Sequence, residues 1–277
     1  MRKTLIDYGD ILYRKYVVGK QIASGGMSRV WFAKEFETGK IWAVKDIDKT
    51  SKEFIASANS DGSLTEVEIV KALNHPFIPR VNDVFEDESS IQIVMEYVKG
   101  KSLKEVAEQN GPISEAFVTE WAKDLAEIFI YLHTREKPVI YRDLKPGNVI
   151  LRKDGQIRLL DFGIALLADP DTHIAKGRAL GTKGFASPEH IKGEVDARSD
   201  IYTLGKTMLC LLSGKNPVLA KGQSPDYSMI SPGLEEIIRI STAENPDDRY
   251  QSMSAMLKDL LSYSEKKQAG RRGFFKR

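Results

Sequence analysis

Residues 141–148 read Tyr141-Arg142-Asp143-Leu144-Lys145-Pro146-Gly147-Asn148, and the chain soon reaches Asp161-Phe162-Gly163. Two apolar runs lie between these motifs, at 149–151 and 157–160, and Asp154-Gly155 stands between the runs. An Asp-Gly pair between apolar runs predicts a β-hairpin. Because a hairpin returns the chain to its start, we expect Asn148 and Asp161 to lie close together.

The residue types in this segment suit phosphoryl transfer. Asn148 and Asp161 offer two hard oxygen ligands. Mg²⁺ needs such ligands because it keeps waters and phosphate oxygens for its other positions. Asp143 is then free to accept a proton from an attacking hydroxyl.

This segment resembles the catalytic loop and metal-binding motif of the eukaryotic-like (Hanks-type) serine/threonine protein kinases of the bacterial type. The resemblance covers about residues 13–261. It implies an α+β fold with two lobes, a β-rich N-lobe and an α-helical C-lobe. It also implies ATP and Mg²⁺, or Mn²⁺, as cofactors. Lys145 is the residue type that serine/threonine kinases have at this position, and it would stabilise the γ-phosphate.

Composition and charge place the chain among globular proteins. Of its 277 residues, 42% are hydrophobic and 29% are charged, and the net charge is +2. These values exclude whole-chain disorder and give no global attraction to nucleic acid. The single cysteine cannot form an internal disulfide, and no apolar run approaches the length of a membrane span. We therefore expect a cytoplasmic location.

The periodicity of apolar residues changes near residue 100 from strands to helices. One helix interrupts the strands, with a stripe at Leu64, Val67, Val70 and Leu73. Beyond residue 100, Ser114 is expected to cap a helix with a stripe at Phe117, Trp121, Leu125, Ile128 and Leu132. A later helix carries Ile201, Leu204, Met208 and Leu211, and is predicted to end at Gly214.

These patterns predict an N-terminal extension at 1–12, an N-lobe at 13–97, a C-lobe at 98–263 and a flexible basic tail at 264–277. The tail holds six basic residues and one acidic residue, and Gly270 and Gly273 are expected to interrupt any helix there. Such a tail is either simply solvated or a weak anchor to anionic lipid.

A glycine-rich loop follows the first predicted strand, as the resemblance implies. It reads Ala23 to Val30, and Ala23 and Ser28 stand where the family has its first and third glycines. The middle glycine, Gly25, is kept where the backbone approaches the phosphates. The implied nucleotide contacts here are Ile22, Ala23, Ser24, Gly25, Gly26, Met27, Ser28 and Val30.

Lys45 ends a predicted strand and shares a face with Ala43. A lysine on an inner face needs an anion, and the resemblance implies that Glu66 pairs with Lys45. That pair would hold Lys45 on the α- and β-phosphates of ATP. Glu68 remains a rival partner.

The resemblance also implies an adenine pocket. Backbone groups of Glu96 and Val98 would bond the adenine edge, and Met95 would guard the pocket behind it. Apolar walls would come from Val30, Ala43 and Ile150.

Residues 181–189 resemble the end of a kinase activation segment, with Ser187 in place of the usual alanine. The resemblance implies an ion pair between Glu189 and Arg249. It further implies that Asp200 bonds the catalytic-loop backbone and that the Tyr141 ring stacks on Phe162. Small-molecule phosphotransferases share the catalytic loop but lack this segment, so we expect protein substrates with Ser or Thr acceptors. Whether the chain also forms a dimer remains open.

Two regulatory readings remain open. Arg142 beside Asp143 is the feature of kinases that need a negative partner from the activation segment. That partner is either Thr172 after autophosphorylation, or Asp169 or Asp171 in a constitutively active enzyme.

An inactive, ATP-binding pseudokinase is the alternative class of function. It predicts loss of Lys45, Asp143 or Asp161, and the sequence keeps all three.

Overall fold

The structure is a computed structural model and describes residues 6–25, 28–57, 65–177, 180–215 and 226–274. The chain divides into two compact units, Met1–Lys99 and Gly100–Arg277. The boundary predicted between residues 97 and 98 thus lies two residues early. The first unit is mainly β-structure and the second is mainly helical, which confirms the predicted α+β class.

The first unit is built on a six-stranded antiparallel sheet in the order β1-β2-β3-β4-β6-β5. Its strands are β1 (Ile11–Leu12), β2 (Tyr16–Ser24), β3 (Ser28–Glu35), β4 (Ile41–Asp48), β5 (Val81–Glu86) and β6 (Ser90–Glu96). Two helices, α1 (Lys52–Ser57) and α2 (Thr65–Ala72), interrupt them after β4.

Strand β4 is covered on both faces. Trp42 and Val44 belong to one buried cluster, whereas Ile47 belongs to another that also contains Phe54 of α1. Because side chains alternate along a strand, Lys45 shares the face of Ile47. Val67 and Val70 of α2 pack against that second cluster. Lys45 therefore lies on the sheet face that the α2 helix covers.

Ile11 and Leu12 form a strand of this sheet and Ile6 is buried in its core, so the prediction of a separate extension at 1–12 is wrong for these residues. Strand β1 pairs with β2, with Leu12 opposite Tyr16. Ile6 and Leu12 are buried in the same cluster as Tyr16. A strand of only two residues can form here because the edge of the existing sheet supplies its hydrogen-bond partners.

The buried face of α2 differs from the predicted stripe. Glu66, Ile69 and Leu73 are buried, whereas Val67 and Val70 are half-buried. Leu64 lies outside the described residues. A strict period of three drifts around a helix of 3.6 residues per turn, so the stripe pointed slightly away from the core.

The second unit contains five helices among the described residues and several short strands. The helices are α3 (Leu103–Asn110), α4 (Glu115–His133), α5 (Ala197–Ser213), α6 (Pro232–Ser241) and α7 (Met253–Phe274). The strands are β7 (Gly100–Ser102), β8 (Val139–Ile140), β9 (Val149–Arg152), β10 (Ile157–Leu159), β11 (Leu166–Leu167), β12 (Ala175–Lys176) and β13 (Glu194–Val195). None of the described helices combines the length and the apolar composition needed to cross a membrane.

Helix α4 buries most of its predicted stripe, namely Trp121, Leu125, Ile128 and Leu132. Phe117 was placed on that stripe wrongly, because it is 62% exposed and Val118 takes the buried position in its turn. Ser114 occupies the N-cap position, although its side chain makes no capping hydrogen bond. Helix α5 is confirmed, with its predicted stripe buried and with Gly214 left-handed at its end.

The prediction that Gly270 and Gly273 interrupt any helix in the tail at 264–277 is wrong, because α7 continues to Phe274. A glycine costs a helix only about 1 kcal/mol relative to alanine, so contacts elsewhere can outweigh it. Glu115 supplies such contacts by accepting hydrogen bonds from Tyr263 at 2.7 Å and from Lys267 at 2.8 Å. Residues 275–277 lie outside the described residues.

Glu115 also accepts the backbone N–H of Ser231, so it ties α4, α6 and α7 together. Burial of the Glu115 carboxylate opposes ionisation, but these hydrogen bonds dominate and lower its pKa to about 2. We expect Glu115→Gln to reduce the free energy of unfolding by about 1–3 kcal/mol, because Lys267 and Ser231 lose a charged acceptor. Urea denaturation measures this loss. Glu265→Gln, at an exposed position of α7, is the matched control. Equal stability of the two variants would contradict the role assigned to Glu115.

Candidate active site

In the first unit, the predicted ion pair between Lys45 and Glu66 is present. Lys45 Nζ lies 2.6 Å from Glu66 Oε1, and the two side chains are 7% and 3% exposed. Glu68, the rival partner, is exposed on α2. Burial of both charges makes this pair costly to form and costly to break, so it fixes the position of the Lys45 ammonium.

Several predicted nucleotide contacts share one face of the first unit's sheet. Val30 is directly opposite Lys45 across β3 and β4, and Ala43 is opposite Met95 across β4 and β6. Residues directly opposite in register project to the same side of the sheet, and so do residues two apart along a strand. Val30, Ala43, Lys45 and Met95 therefore lie on one face.

The glycine-rich loop joins β2 and β3 as a hairpin. Ala23 pairs with Val30 and Ser24 with Arg29, and the Gly25 N–H donates to Ser28 O at 2.8 Å. Ile22, Ala23, Ser24 and Gly25 are exposed at its tip. Gly26 and Met27 lie outside the described residues. Of the two hinge residues, Glu96 is exposed at the end of β6 and Val98 is half-buried.

In the second unit, the buried carboxylate of Asp200 holds the catalytic loop. It accepts the backbone N–H of Tyr141 at 2.9 Å and that of Arg142 at 2.8 Å, as the resemblance implies. The ring of His133 donates a third hydrogen bond to it at 2.8 Å. Asp200 is fully buried in the first turn of α5, where the helix dipole favours a negative charge.

The carboxylate of Asp143 is the centre of a network of polar side chains. Lys145 Nζ lies 2.7 Å from Asp143 Oδ2, and Thr182 Oγ1 donates to Asp143 Oδ1 at 2.6 Å. Lys145 also donates to Thr182 at 2.8 Å. The side-chain amide of Asn148 donates to Asp143 Oδ2 at 3.0 Å and to the Asp143 carbonyl at 2.9 Å. These contacts fix the orientation of the carboxylate.

The hairpin predicted after Asn148 is confirmed. Strands β9 and β10 are antiparallel, and Gly155 has a φ of +85° in the turn. The Leu160 N–H donates to the Asn148 carbonyl at 2.8 Å. Asp161 is the next residue after Leu160, so the chain brings it close to Asn148. Since the Asn148 amide nitrogen faces Asp143, its oxygen remains the atom suited to a metal ion. The donor set thus fits a hard divalent cation.

Two non-glycine residues at this site adopt left-handed backbone conformations. Arg142 has a φ of +70° and Asp161 a φ of +59°. Such conformations cost on the order of 1–3 kcal/mol and persist where the surrounding structure imposes them. For Arg142 that surrounding structure is visible, because Asp200 accepts its backbone N–H.

Tyr141 and Arg142 contact the segment that follows the hairpin. Tyr141 meets Phe162 edge to face, at 5.1 Å between ring centroids and 80° between ring planes, whereas stacking was predicted. The Tyr141 hydroxyl donates to the Leu160 carbonyl, and burial raises its pKa well above the ordinary value. The Arg142 guanidinium is buried, and it donates to the carbonyls of Ile164 and Leu180 at 3.3 Å each.

The three candidate partners of Arg142, namely Asp169, Asp171 and Thr172, lie in one turn. The Asp169 carboxylate accepts the backbone N–H of Thr172 at 2.8 Å and its hydroxyl at 3.0 Å. The backbone N–H of Asp171 also donates to it, at 3.1 Å. Thr172 is exposed in this turn. Whether Thr172 is phosphorylated stays a prediction.

The predicted Glu189–Arg249 ion pair is present and bidentate. Arg249 donates to the two carboxylate oxygens at 2.7 and 2.9 Å, and its side chain is fully buried. Ser199 donates to the same carboxylate at 2.7 Å. This pair joins the end of the 181–189 segment to the loop before α7.

Sequence reasoning missed His133 as a supporting residue of the catalytic loop. It lies in the last turn of α4, stacks on Phe129 at 5.7 Å and contacts Asp200. Its only sequence signal is a polar ring at the end of an otherwise apolar stripe. Among the described residues, no group of three or more His, Cys, Asp or Glu side chains is arranged to hold a metal ion.

The ionisation of Glu189 makes stability depend on pH. Burial opposes ionisation, but the hydrogen bonds from Arg249 and Ser199 outweigh it and lower the pKa of Glu189 from 4.5 to about 2. The pair therefore contributes its full stability above pH 4.5 and loses it as the pH falls toward 2. We expect Glu189→Gln to cost about 3 kcal/mol at pH 7, and this difference should shrink below pH 4.5.

Unfolding free energies measured from pH 7 down to pH 3 test this expectation. Glu194→Gln, which removes an exposed partner of Lys176, is the control and should cost much less. A cost for Glu189→Gln that is independent of pH would contradict the assignment.

Comparisons with known proteins agree with this geometry. A family model described as the protein kinase domain matches residues 16–274. The serine/threonine-protein kinase PknB of Mycolicibacterium smegmatis is 32% identical, with 91% of this chain and 43% of that protein aligned. PknB of Mycobacterium leprae is 30% identical, over 89% of this chain and 42% of that protein. A probable serine/threonine-protein kinase of Dictyostelium discoideum is 32% identical, over 88% and 45%.

The chain spans less than half the length of these relatives. The match to the family model nevertheless covers nearly all of it, including both units. Members of the family use ATP and a divalent metal and act on proteins. With its β-rich first unit, its helical second unit and the 141–148 loop held by Asp200, the chain belongs to the protein kinase family.

Proposed function

We propose that this chain transfers the γ-phosphoryl group of ATP to serine or threonine hydroxyls of proteins. The observation that carries this proposal is the network around Asp143. Its carboxylate is oriented by Lys145, Thr182 and Asn148 at distances of 2.6 to 3.0 Å. A preorganised carboxylate with a cation beside it is suited to receive a proton from a hydroxyl while negative charge develops nearby.

Each polar group near Asp143 has a distinct task in this proposal. Asp143 accepts the proton of the attacking hydroxyl, and Lys145 stabilises the charge that develops on the transferred group. Asn148 orients Asp143 through its amide nitrogen. Thr182 holds the end of the activation segment against the same carboxylate. The hydroxyl of a substrate would replace part of this network when it binds.

The first unit would bind the nucleotide. Lys45, fixed by Glu66, would bind the α- and β-phosphates, and the backbone of the β2–β3 hairpin at Ser24 and Gly25 would approach them. The nearest heavy atom to a Cβ built on Gly25 is the Ser28 carbonyl oxygen, at 3.9 Å. Internal packing therefore does not require a glycine there, which supports a role in close approach to a ligand.

The adenine ring would lie against apolar side chains. Val30 and Ala43 supply them from one sheet face of the first unit, with Met95 behind them. The backbone of Glu96 and Val98 would bond the adenine edge. Ile150, the other apolar residue that the resemblance implies, is half-buried in strand β9 of the second unit.

Mg²⁺ is the metal that Asn148 and Asp161 would hold. When bound, it neutralises phosphate charge and orients the transferred group. The protein prepares this pair in two ways: it turns the Asn148 amide nitrogen toward Asp143, and it holds Asp161 in a left-handed conformation.

The activation segment supports a protein substrate. Residues 181–189 are anchored at one end by Thr182 to Asp143 and at the other by Glu189 to Arg249. A segment anchored beside the base can position an extended peptide. A small-molecule substrate would not need such a segment. Autophosphorylation, with Thr172 as an exposed candidate acceptor, is part of the proposal.

The proposal is tested by measuring phosphoryl transfer. The chain is first treated with phosphatase and is then incubated with ATP, Mg²⁺ and a generic protein substrate. We expect the intact mass of chain or substrate to increase in steps of one phosphate. Asp143→Asn should lower the rate by about 10²–10⁴, which is the contribution of a positioned general base. Asp154→Asn, an exposed turn position in the same unit, is the matched control and should keep the rate.

Two results would contradict the proposal. One is the absence of any mass increase on either the chain or the added substrate. The other is an Asp143→Asn variant that is as active as Asp154→Asn. ATP binding without transfer would instead indicate a pseudokinase.

A further inference from the structure

A tight turn lies at residues 182–185 beside the catalytic loop of the second unit. The Phe185 N–H donates to the Thr182 carbonyl at 3.0 Å, and Gly184 has a φ of +90°. A positive φ at the third residue is what a type II β-turn requires. Lys183 is therefore the second residue of the turn, and its side chain is exposed.

The turn is fixed at both ends. At its start, the Thr182 hydroxyl donates to Asp143 Oδ1 at 2.6 Å and accepts from Lys145 at 2.8 Å. At its other end, Phe185 is only 8% exposed, and Ser187 beyond it is buried. The backbone at Lys183 is thus held in a defined position relative to the carboxylate of Asp143.

The Lys183 ammonium has no hydrogen-bond or ion-pair partner in the part of the chain that the structure describes. Other lysines near the activation segment do have one: Lys176 lies 3.1 Å from Glu194, and Lys145 lies 2.7 Å from Asp143. An unpaired lysine alone is an ordinary surface feature. At the tip of a turn bonded to Asp143, it is a positive charge whose backbone attachment is fixed beside the place where a substrate hydroxyl must sit.

Elementary distances place this charge next to the phosphoacceptor. A general base acts on a hydroxyl within about 2.6–3.2 Å, so the acceptor residue must approach Asp143 and Thr182 closely. An extended peptide advances about 3.3 Å per residue. The residues directly flanking the acceptor are therefore within reach of the flexible four-carbon stem of Lys183.

We propose that Lys183 selects serine and threonine substrates that carry an acidic side chain directly beside the phosphoacceptor. This inference rests on the proposed protein kinase function and names the substrate class for it. The ion pair would form at an exposed position. The preference should therefore be modest and should weaken as salt concentration rises.

A set of serine peptides tests the proposal. Each has the same neutral sequence with a single Asp placed in turn at each of four positions on either side of the serine. We expect kcat/KM to be about two- to fivefold higher when Asp is adjacent to the serine than when it is absent, as for an exposed ion pair. A Lys at the same position should lower kcat/KM by a similar factor.

Variants at Lys183 assign the effect to its charge. The ratio of kcat/KM for the Asp-adjacent and neutral peptides is compared within each variant, so overall losses of activity cancel. Lys183→Gln should bring this ratio to one, Lys183→Glu should invert it, and Lys183→Arg should retain it. Lys192→Glu makes the same charge change at an exposed lysine outside the turn and should leave the ratio unchanged.

The failure of this inference and that of the proposed function give different results. Phosphorylation of all peptides without preference for an adjacent Asp, or a preference that persists in Lys183→Gln, would overturn the role of Lys183 and leave the kinase function intact. If the chain autophosphorylates but phosphorylates none of the peptides, that result would also contradict the role of Lys183. The absence of any phosphoryl transfer would overturn the proposed function itself. If Lys183→Glu fails to fold, the ratios for Lys183→Gln and Lys183→Arg decide.

Discussion

The catalytic loop depends on one buried carboxylate, that of Asp200. It accepts two consecutive backbone N–H groups, from Tyr141 and Arg142, and a ring N–H from His133. A fully buried carboxylate is tolerated only when hydrogen bonds compensate for its lost hydration. Here the compensation comes from the loop itself. The folding of α5 and the shape of the loop are therefore coupled through the side chain of Asp200.

This coupling explains how the chain sustains an unfavourable backbone conformation next to Asp143, the proposed general base. Arg142 has a left-handed φ of +70°, and Asp200 binds its N–H. The next residue, Asp143, is then presented to Lys145, Thr182 and Asn148. The left-handed backbone at Arg142 thus precedes a carboxylate that three hydrogen bonds orient. In the first unit, burial of the pair Lys45 and Glu66 fixes the Lys45 ammonium, the group proposed to bind phosphate, by a different route, through ion pairing.

Much of this arrangement could be predicted from sequence because its causes are local. The hairpin at 149–160 follows from an Asp-Gly turn between apolar runs, and the helix ending at Gly214 follows from its stripe and its glycine. The pairs Lys45–Glu66 and Glu189–Arg249 followed from the family resemblance, since the partners are far apart in sequence. No local pattern specifies such pairs.

The predictions that failed concerned tertiary contacts. Phe117 matches the α4 stripe, but the core begins one residue later, at Val118. The basic segment from residue 264 contains helix-weakening glycines, yet α7 persists because Glu115, far away in sequence, binds Tyr263 and Lys267. His133 was overlooked because its partner Asp200 comes from another helix. In each case the deciding contact is long-range, and periodicity carries no information about it.

The most direct test of this account is amide hydrogen exchange in Asp200→Asn, followed by NMR. Loss of a charged acceptor removes about 1.5–3 kcal/mol per hydrogen bond. The Tyr141 and Arg142 amides should therefore exchange about tenfold or more faster, kcat should fall, and the amides of α6 should keep their protection. Unchanged exchange at Tyr141 and Arg142 would show that other contacts hold the catalytic loop. Equal acceleration throughout the second unit would show that Asp200 contributes only general stability. Either result would contradict the account.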